Sequence, residues 1–395
     1  MNPFTPATIA PLAQQFGTPL WIYDADTITR QIAALRLFDV VRFAQKANSN
    51  THILRLMKRQ GAVVDSVSLG EIERALAGGF TPGLHNGHAD IVFTADLLDR
   101  ATLARVVELN IPVNCGSMDM LDQLGAVNPG HPVWLRINPG FGHGHSKKTN
   151  TGGEHSKHGI WHGDLVRACE KIKSNGLALQ GLHMHIGSGV DYAHLQEVCG
   201  AMLKLVEVVN AQGLDLHAIS AGGGLSVPYQ AGEPTIDTAH YFSLWDAARH
   251  AVEQLLEHPV KLEIEPGRYL MAESGVLVTE VRATKQQGAN HFVMVDAGFS
   301  DLVRPALYGA YHGMELIHSD GTAVNGLQFD TVVAGPLCES GDVFTQGDGG
   351  VVLHRSLPQA QVGDLLVLHD TGAYGASMSS NYNARPLIAE VLMEN

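Results

Sequence analysis

The sequence is poor in positive charge. Its 395 residues carry 26 Lys and Arg against 40 Asp and Glu, a formal net charge of −14, and the basic residues never gather into a block. Binding a phosphate backbone or an anionic membrane needs such a block, so neither nucleic acid nor membrane is an expected partner. An anionic ligand must instead be held by a few local groups. Cysteine is scarce too: Cys115, Cys169, Cys199 and Cys338 show no CxxC spacing. The N-terminus MNPFTPATIA lacks a basic segment followed by an apolar core, and no apolar run approaches the roughly 20 residues of a membrane-spanning helix. These absences lead us to expect a cytoplasmic protein with reduced thiols.

What is present is an alternation. Between residues 41 and 265 eight short apolar runs, VVRFAQ, AVVDSV, IVFTA, IPVNC, PVWLRIN, LQGLHMHI, LHAIS and VKLEIE, are separated by segments of helical period such as NTHILRLMKRQG and GEIERALAGG. Strand and helix in alternation mean parallel strands with helical crossovers. Eight units, with the amphipathic DADTITRQIAALRLF before the first strand, fit a closed (β/α)8 TIM-type barrel better than an open doubly wound sheet. From about residue 275 the pattern changes to VLVTEVRATK, HFVMVDAG, FDTVVAGPL, VVLHRSL and DLLVLHD, strands parted by Gly, Asp and Asn turns. The expected organisation is an α/β barrel over 24–274 and a C-terminal all-β domain over 275–395, the latter joined by the N-terminal segment 1–23. The polar, Gly-rich GFGHGHSKKTNTGGEHSKHG is too long for an ordinary βα connection and is a candidate lid.

A barrel of this kind presents its chemistry at the C-terminal ends of its strands. Those ends carry Lys46; Asp65 and Ser68; Arg136 and Asn138; His183 and His185; Gly222, Gly223 and Gly224; and Glu265 to Arg268. Lys46 alone is unremarkable, because strand ends reach the surface. SAGGGLS offers glycine amides that can approach a phosphate, and HIGSGVD adds a second loop with Ser188, although each is also an ordinary tight turn. Glu265 in EIEPGRYL needs a cationic or donor partner, which an internal pair with Arg268 or a protonated pyridine nitrogen would supply. Together these residues match the aldehyde, phosphate and pyridinium handles of pyridoxal 5'-phosphate.

Two other patterns are set aside. PGFGHG has its third Gly mis-spaced for a dinucleotide loop and is followed by a polar loop where a helix should begin. His183 and His185 share one strand face and could ligate a metal, but no further ligand has an evident place, so no metal is expected. In the β domain, AGPLCESGD sets Cys338 and Glu339 in a Gly- and Pro-bounded turn, DTGAYGASMSSNYN does so for Tyr374, and FSDLVRPALYGAYH adds Arg304 and Tyr308. A thiol in a polar turn is more credible as a reactive group than one in a core.

With FAQKANSN, DSVSLGE, HMHIGSG, AGGGLS, EPGR, VDAGFSDLVRPALY, GPLCESGD and AYGASMSSNYNARP in view, the chain resembles the alanine-racemase-like (fold type III) pyridoxal-phosphate decarboxylases, and among them the diaminopimelate-decarboxylating branch. The resemblance implies that Lys46 carries the cofactor as a Schiff base and that His185 stacks on its ring. It implies that Asp65, Ser188, Gly222 to Gly224, Gly267 and Arg268 help hold the cofactor, with Glu265 on the pyridine nitrogen. Arg268, Arg304, Tyr308, Glu339 and Tyr374 match residues that bind the substrate's distal end or the cofactor. Cys338 matches the proton donor, entering from the partner chain of a homodimer with shared active sites. The implied reaction is decarboxylation of meso-2,6-diaminopimelate to L-lysine and carbon dioxide, the last step of lysine biosynthesis. The rivals are a sister decarboxylase of ornithine, arginine or carboxynorspermidine, and a noncatalytic pyridoxal-phosphate-binding homologue. Two departures stand out: the family usually continues beyond AEVLMEN through a basic strand and a helix, and His158 stands where Phe is common.

Overall fold

The computed structural model describes residues 2–142, 151–185, 187 and 192–394. The chain divides into two units, one made of Thr29–Ser226 and Thr235–Tyr269, the other of Met1–Ile28, Val227–Pro234 and Leu270–Asn395. Ser188 and residues 143–150 of the candidate lid lie outside the described residues.

Helix α1 (Pro6–Phe16) and strand β1 (Leu20–Asp24) open the chain, and α2 (Ala25–Ala33) leads to β2 (Val40–Ala44). Alternation follows through α3 (Thr51–Arg59), β3 (Val63–Ser66), α4 (Leu69–Ala77), β4 (Ile91–Ala95), α5 (Arg100–Glu108), β5 (Val113–Cys115), α6 (Met118–Val127) and β6 (Pro132–Asn138). It continues with β7 (Ile160–Trp161), α7 (Leu165–Ser174), β8 (Ala178–His183), α8 (Tyr192–Ala211), β9 (Ala218–Ser220), α9 (Thr238–Leu256) and β10 (Lys261–Ile264). Eight parallel strands close in the order β2-β3-β4-β5-β6-β8-β9-β10, with β10 returning to β2. The two-residue β7 pairs only with the end of β6. All eight apolar runs read from the sequence are the eight barrel strands.

The reason lies in burial on both faces. Strands β2, β3 and β6 are buried at every position, which is why they read as continuous apolar runs rather than alternating ones. The crossover helices start on side-chain caps: Asn50 accepts from His52 N, Ser68 from Glu71 N, Asp99 from Thr102 N and Asp237 from His240 N, each satisfying an amide the helix leaves open. Glu71 in turn accepts from Val67 N at 2.8 Å, so the DSVSLGE motif is in part a helix start. An ion pair sits inside the barrel. Arg42 of β2 donates to Glu263 Oε2 of β10 from Nε (3.0 Å) and Nη2 (2.9 Å), and to Ala89 O from Nη1 (3.0 Å), with both side chains buried. This pair lines a cavity of about 400 Å³ at the N-terminal ends of the strands, together with Asp39, Trp134, Glu253 and Lys261.

Helix α10 (Arg268–Met271) carries the chain into the other unit, where β11 (Gly275–Gln287) is followed by β12 (Asn290–Val295), α11 (Arg304–Tyr308), β13 (Met314–Ile317), β14 (Gln328–Ala334), β15 (Arg355–Pro358), β16 (Leu365–Leu368) and β17 (Ala389–Met393). The long β11 organises the sheet. Its first half pairs antiparallel with β1 on one side and β16 on the other, and its second half pairs with β12. Strand β13 pairs with β16, β12 runs parallel to β14, and β15 closes that side. Strand β1 also runs parallel to β17, so Ile22, Val276, Val278, Ile317 and Val367 meet in one core with Phe4 and Ile9 of the N-terminal segment. Strands β1, β13 and β17 were not read from the sequence, and VVLHRSL becomes a named strand only from Arg355.

Candidate active site

The C-terminal ends of the barrel strands gather charged and polar residues. Lys46 follows β2 in a single tight turn, Gln45–Ala47, whose flanking Gln45 and Ala47 are buried while Lys46 is exposed. Gln45 Nε2 anchors that turn on Ser66 Oγ and on Glu71 O. The backbone amide of Ala44 donates to Pro266 O at 3.1 Å, tying the strand that carries Lys46 to the EPGR segment. The Lys46 charge acts on Asp65, Glu71 and His185, so these groups share one locality.

At this mouth Asp65 is buried and Glu265 largely so, and the two titrate in opposite directions. Burial, reinforced by the Glu265 charge, pushes the Asp65 carboxyl up, against a hydrogen bond from Thr94 and the Lys46 charge. Its Oδ1 has no partner among the described residues. Burial also opposes ionisation of Glu265, but His183, Ser220 and Arg42 together outweigh it and hold that carboxyl low. Ser220 Oγ donates to Glu265 Oε1 at 2.7 Å, and His183 Nε2 lies 3.1 Å from Oε2. Two acids a short distance apart in low dielectric divide into one that keeps its proton and one that keeps its charge.

His185 is oriented by the loop that follows β9. The Gly223 amide donates to His185 Nδ1 at 3.1 Å, which makes Nδ1 an acceptor and leaves the hydrogen on Nε2. Burial and then the Lys46 and Arg136 charges push its pKa well down, so the ring is a neutral, flat imidazole. The three glycines are required by close approach: a Cβ on Gly222 would sit 2.3 Å from Met184 O, on Gly223 2.5 Å from Glu265 O, and on Gly224 2.4 Å from Gly187 O. Gly222 and Gly224 also take positive φ. The amide of Gly222 goes to Ser220 Oγ and that of Gly223 to His185. An anion at this loop is therefore left with amides from Gly224 onward, a division of labour that the GGG spelling does not reveal.

Asn138, at the end of β6, staples the candidate lid at its base. Its Oδ1 accepts from Gly140 N (3.1 Å) and Gly153 N (2.9 Å), and its Nδ2 donates to Gly153 O (3.1 Å). The far end is pinned by Asp96, which accepts from Gly159 N at 2.8 Å and pairs with His158 Nδ1 at 2.6 Å. His158 thus makes a polar anchor. Arg136 is buried at the same end, where burial lowers its pKa while the charges of Asp96, Glu265 and Asp65 support its cationic form. Ser68 is the cap of α4, and Gly267 and Arg268 follow Pro266 directly.

The sheet unit carries the remaining named residues. Cys338 is the one exposed cysteine of the four. Burial pushes the thiol of Cys169 up to about 11 and that of Cys199 up to about 12, and raises Cys115 further. The turn around Cys338 and the exposed Glu339 is shaped by Asp342, which accepts from Leu337 N and Phe299 N at 2.7 Å each, while Asn383 Oδ1 takes the Cys338 amide at 2.9 Å. Tyr374 takes a positive φ of 58°, and Tyr308 ends α11 half-buried. Arg304 is buried. Its guanidinium lies 4.9 Å over the Tyr229 ring, and Nη1 donates to His312 Nε2 at 2.9 Å. His312 Nδ1 donates to His369 O at 2.9 Å, fixing the tautomer that leaves Nε2 free to accept. Sequence reasoning missed Tyr229 and His312, although GAYHGM lies within a few residues of Arg304.

The barrel mouth suits pyridoxal phosphate on its own geometry. It offers an exposed amine at Lys46, a neutral flat imidazole at His185, a largely buried carboxylate held charged at Glu265, and a loop so crowded that only glycine fits. Comparison with known proteins agrees. Residues 25–272 match the family model described as pyridoxal-dependent decarboxylase, pyridoxal binding domain. The diaminopimelate decarboxylase of Escherichia coli K12 is 66% identical over 97% of this chain and 90% of its own length, and that of Streptomyces coelicolor is 63% identical over 98% and 87%. A crystal structure of diaminopimelate decarboxylase, 65% identical, superposes with a TM-score of 0.94 over 99% of this chain and 92% of that one. The Helicobacter pylori enzyme solved with L-lysine, 31% identical, gives 0.84 over 97% and 93%. The chain belongs to the pyridoxal-dependent decarboxylases, and within them to the diaminopimelate decarboxylase family.

Proposed function

We propose that this protein decarboxylates meso-2,6-diaminopimelate to L-lysine and carbon dioxide with pyridoxal 5'-phosphate. The observation that carries the reading is the 66% identity to the Escherichia coli enzyme across nearly the whole chain, which spans both the barrel mouth and the sheet-unit turns. When bound, the cofactor supplies an electrophilic carbonyl and a conjugated sink for the electrons of the breaking carbon–carboxylate bond.

The chain's own groups then have distinct tasks. Lys46 would hold the cofactor through its amine and would give up that place to the substrate amine. Glu265, kept ionised by Ser220 and His183, supports a protonated pyridine nitrogen, and Asp65 beside it retains its own proton. His185, uncharged and held edge-on by Gly223, offers a flat face to a ring without adding a competing cation. Ser188, Gly224, Gly267 and Arg268 are assigned to the phosphate side. The barrel, 24–274, thereby holds the cofactor, and the 275–395 domain with segment 1–23 supplies the substrate end.

For that end we assign Arg304, Tyr308, Glu339 and Tyr374 to recognition of the second amino-acid head, a feature absent from ornithine or arginine. Arg304 suits a carboxylate because its fork is preset by His312 and Tyr229. Cys338 Sγ is assigned as the proton donor to the α-carbon, reached from the partner chain of a homodimer. The test is carbon dioxide release by purified protein with and without added cofactor, on meso-diaminopimelate, ornithine, arginine and lysine. Preference for diaminopimelate by orders of magnitude supports the reading, and comparable turnover of ornithine or arginine would replace it with the sister activity.

A further inference from the structure

Far from the Lys46 mouth, the N-terminal ends of β9 and β10 bring together three side chains that the decarboxylase reaction does not use. Asp215 and His217 precede β9, and His258 precedes β10. Each offers one ligand atom, and the three atoms lie within 4.8 Å of one another. His258 Nε2 is 2.8 Å from Asp215 Oδ1, and the His217 and His258 rings lie 5.7 Å apart. Asp215 and His217 are exposed and His258 half-buried, so an ion has an open route in. The two loops are already joined by the backbone, with Lys261 N donating to His217 O at 2.9 Å.

The His258 ring shows that something positive belongs between it and Asp215. Its Nδ1 faces the Pro259 carbonyl at 2.9 Å, and a carbonyl can only accept, so Nδ1 carries a hydrogen. A neutral ring then has a lone pair on Nε2, aimed at a carboxylate oxygen that is itself only an acceptor. Two lone pairs at 2.8 Å repel unless a proton or a metal cation lies between them. An Nδ1–H bonded to a backbone carbonyl with Nε2 facing a carboxylate is also the arrangement in which proteins present histidine to metals. Metal–ligand bonds of roughly 2.0–2.2 Å place neighbouring ligand atoms about 3 Å apart, close to the 2.8 Å between His258 Nε2 and Asp215 Oδ1, with His217 within 4.8 Å of both.

We propose that Asp215, His217 and His258 form a binding site for a divalent transition-metal ion of the zinc, cobalt or nickel type, with water completing its coordination. Two imidazoles and one carboxylate select such ions over calcium or magnesium, which prefer all-oxygen shells. The ion links the loops that enter β9 and β10, and its role is to hold those loops, because none of its three ligands lies at the Lys46 end of the barrel.

The experiment uses untagged holoenzyme freed of excess cofactor and metal. Zinc binding is measured by calorimetry, cobalt(II) absorption is recorded, and the thermal midpoint is read with and without zinc, for wild type and for H217A, H258A and D215N. We expect one tight zinc ion per chain, cobalt absorption without a thiolate charge-transfer band, and a zinc-dependent rise in midpoint. Each substitution should weaken zinc at least about tenfold and abolish the rise, while decarboxylase activity without zinc stays at the wild-type level. Unchanged zinc affinity in H217A and H258A, thiolate absorption pointing to Cys338, or no zinc binding tighter than about 100 μM would each overturn the proposal. H258Q, which keeps a polar side chain of similar reach but no Nε2 ligand, guards against loss by misfolding: if it folds as wild type does and binds zinc equally well, the site is not built on His258.

Discussion

Glu265→Gln isolates charge from shape. The amide is isosteric, so no cavity opens, and Ser220 Oγ, now 2.7 Å from Oε1, can donate to the amide oxygen while the new NH2 turns toward His183 Nε2, 3.1 Å from Oε2. Both contacts survive in altered form, and stability should change by no more than about 1 kcal/mol. The charge does not survive. Removing one preorganised electrostatic group from a water-poor site costs roughly 100- to 1,000-fold in turnover, about 2.7–4 kcal/mol. We therefore expect cofactor retention near wild type with kcat lower by at least about 100-fold and KM little changed. The assay is steady-state carbon dioxide release beside the visible absorbance of the purified protein and a thermal melt. Near-normal kcat with intact absorbance would mean that Glu265 only packs the strand end. Loss of the cofactor itself would mean that the carboxylate is needed to bind rather than to turn over.

Three further outcomes are expected. His312→Ala removes the group that presets Arg304, and a hydrogen bond to a charged group is worth about 1.5–3 kcal/mol; KM for diaminopimelate should rise about tenfold or more with a smaller change in kcat, and an unchanged KM would clear His312 of any positioning role. Asp370 is held up to about 6 by burial and the nearby Glu273, so the native state binds more protons than the unfolded one between about pH 4 and 6, and its contribution to stability falls as pH rises through that window. Asp370→Asn should therefore stabilise by roughly 1–2 kcal/mol at pH 8, after allowance for partial exposure, and by nearly nothing at pH 4; Asn also tolerates the positive φ of 56° at this position, and equal midpoint shifts at both pH values would refute the assignment. Finally, Lys46→Ala and Cys338→Ala chains, each nearly inactive, should regain roughly a quarter of wild-type activity when refolded together, because random pairing in a symmetric dimer restores one complete site in half of the dimers; no recovery in mixtures shown to contain heterodimer would place both residues' work within one chain.

What the sequence determined by itself was whatever depends on local period and residue type. The eight barrel strands were legible because burial on both faces leaves unbroken runs such as PVWLRIN, and the residues at their ends stood out because Lys46, Asp65, His183 and Glu265 all fall at the same end of successive strands. Strands β1, β13 and β17 were not legible, since LWIYD, MELI and AEVLM owe their state to partners remote in the chain: Leu20 meets Val278 and Ala389, and Met314 meets Leu368. Only the tertiary structure decided which atoms answer each other. It set Gly223 on His185, gave Asp65 and Glu265 opposite charge states, seated Arg304 on His312 and Tyr229, paired Arg42 with Glu263, and brought Asp215 within 2.8 Å of His258 from 43 residues away. Electrostatics and hydrogen bonding act through distance and direction in space, and spacing along the chain encodes neither.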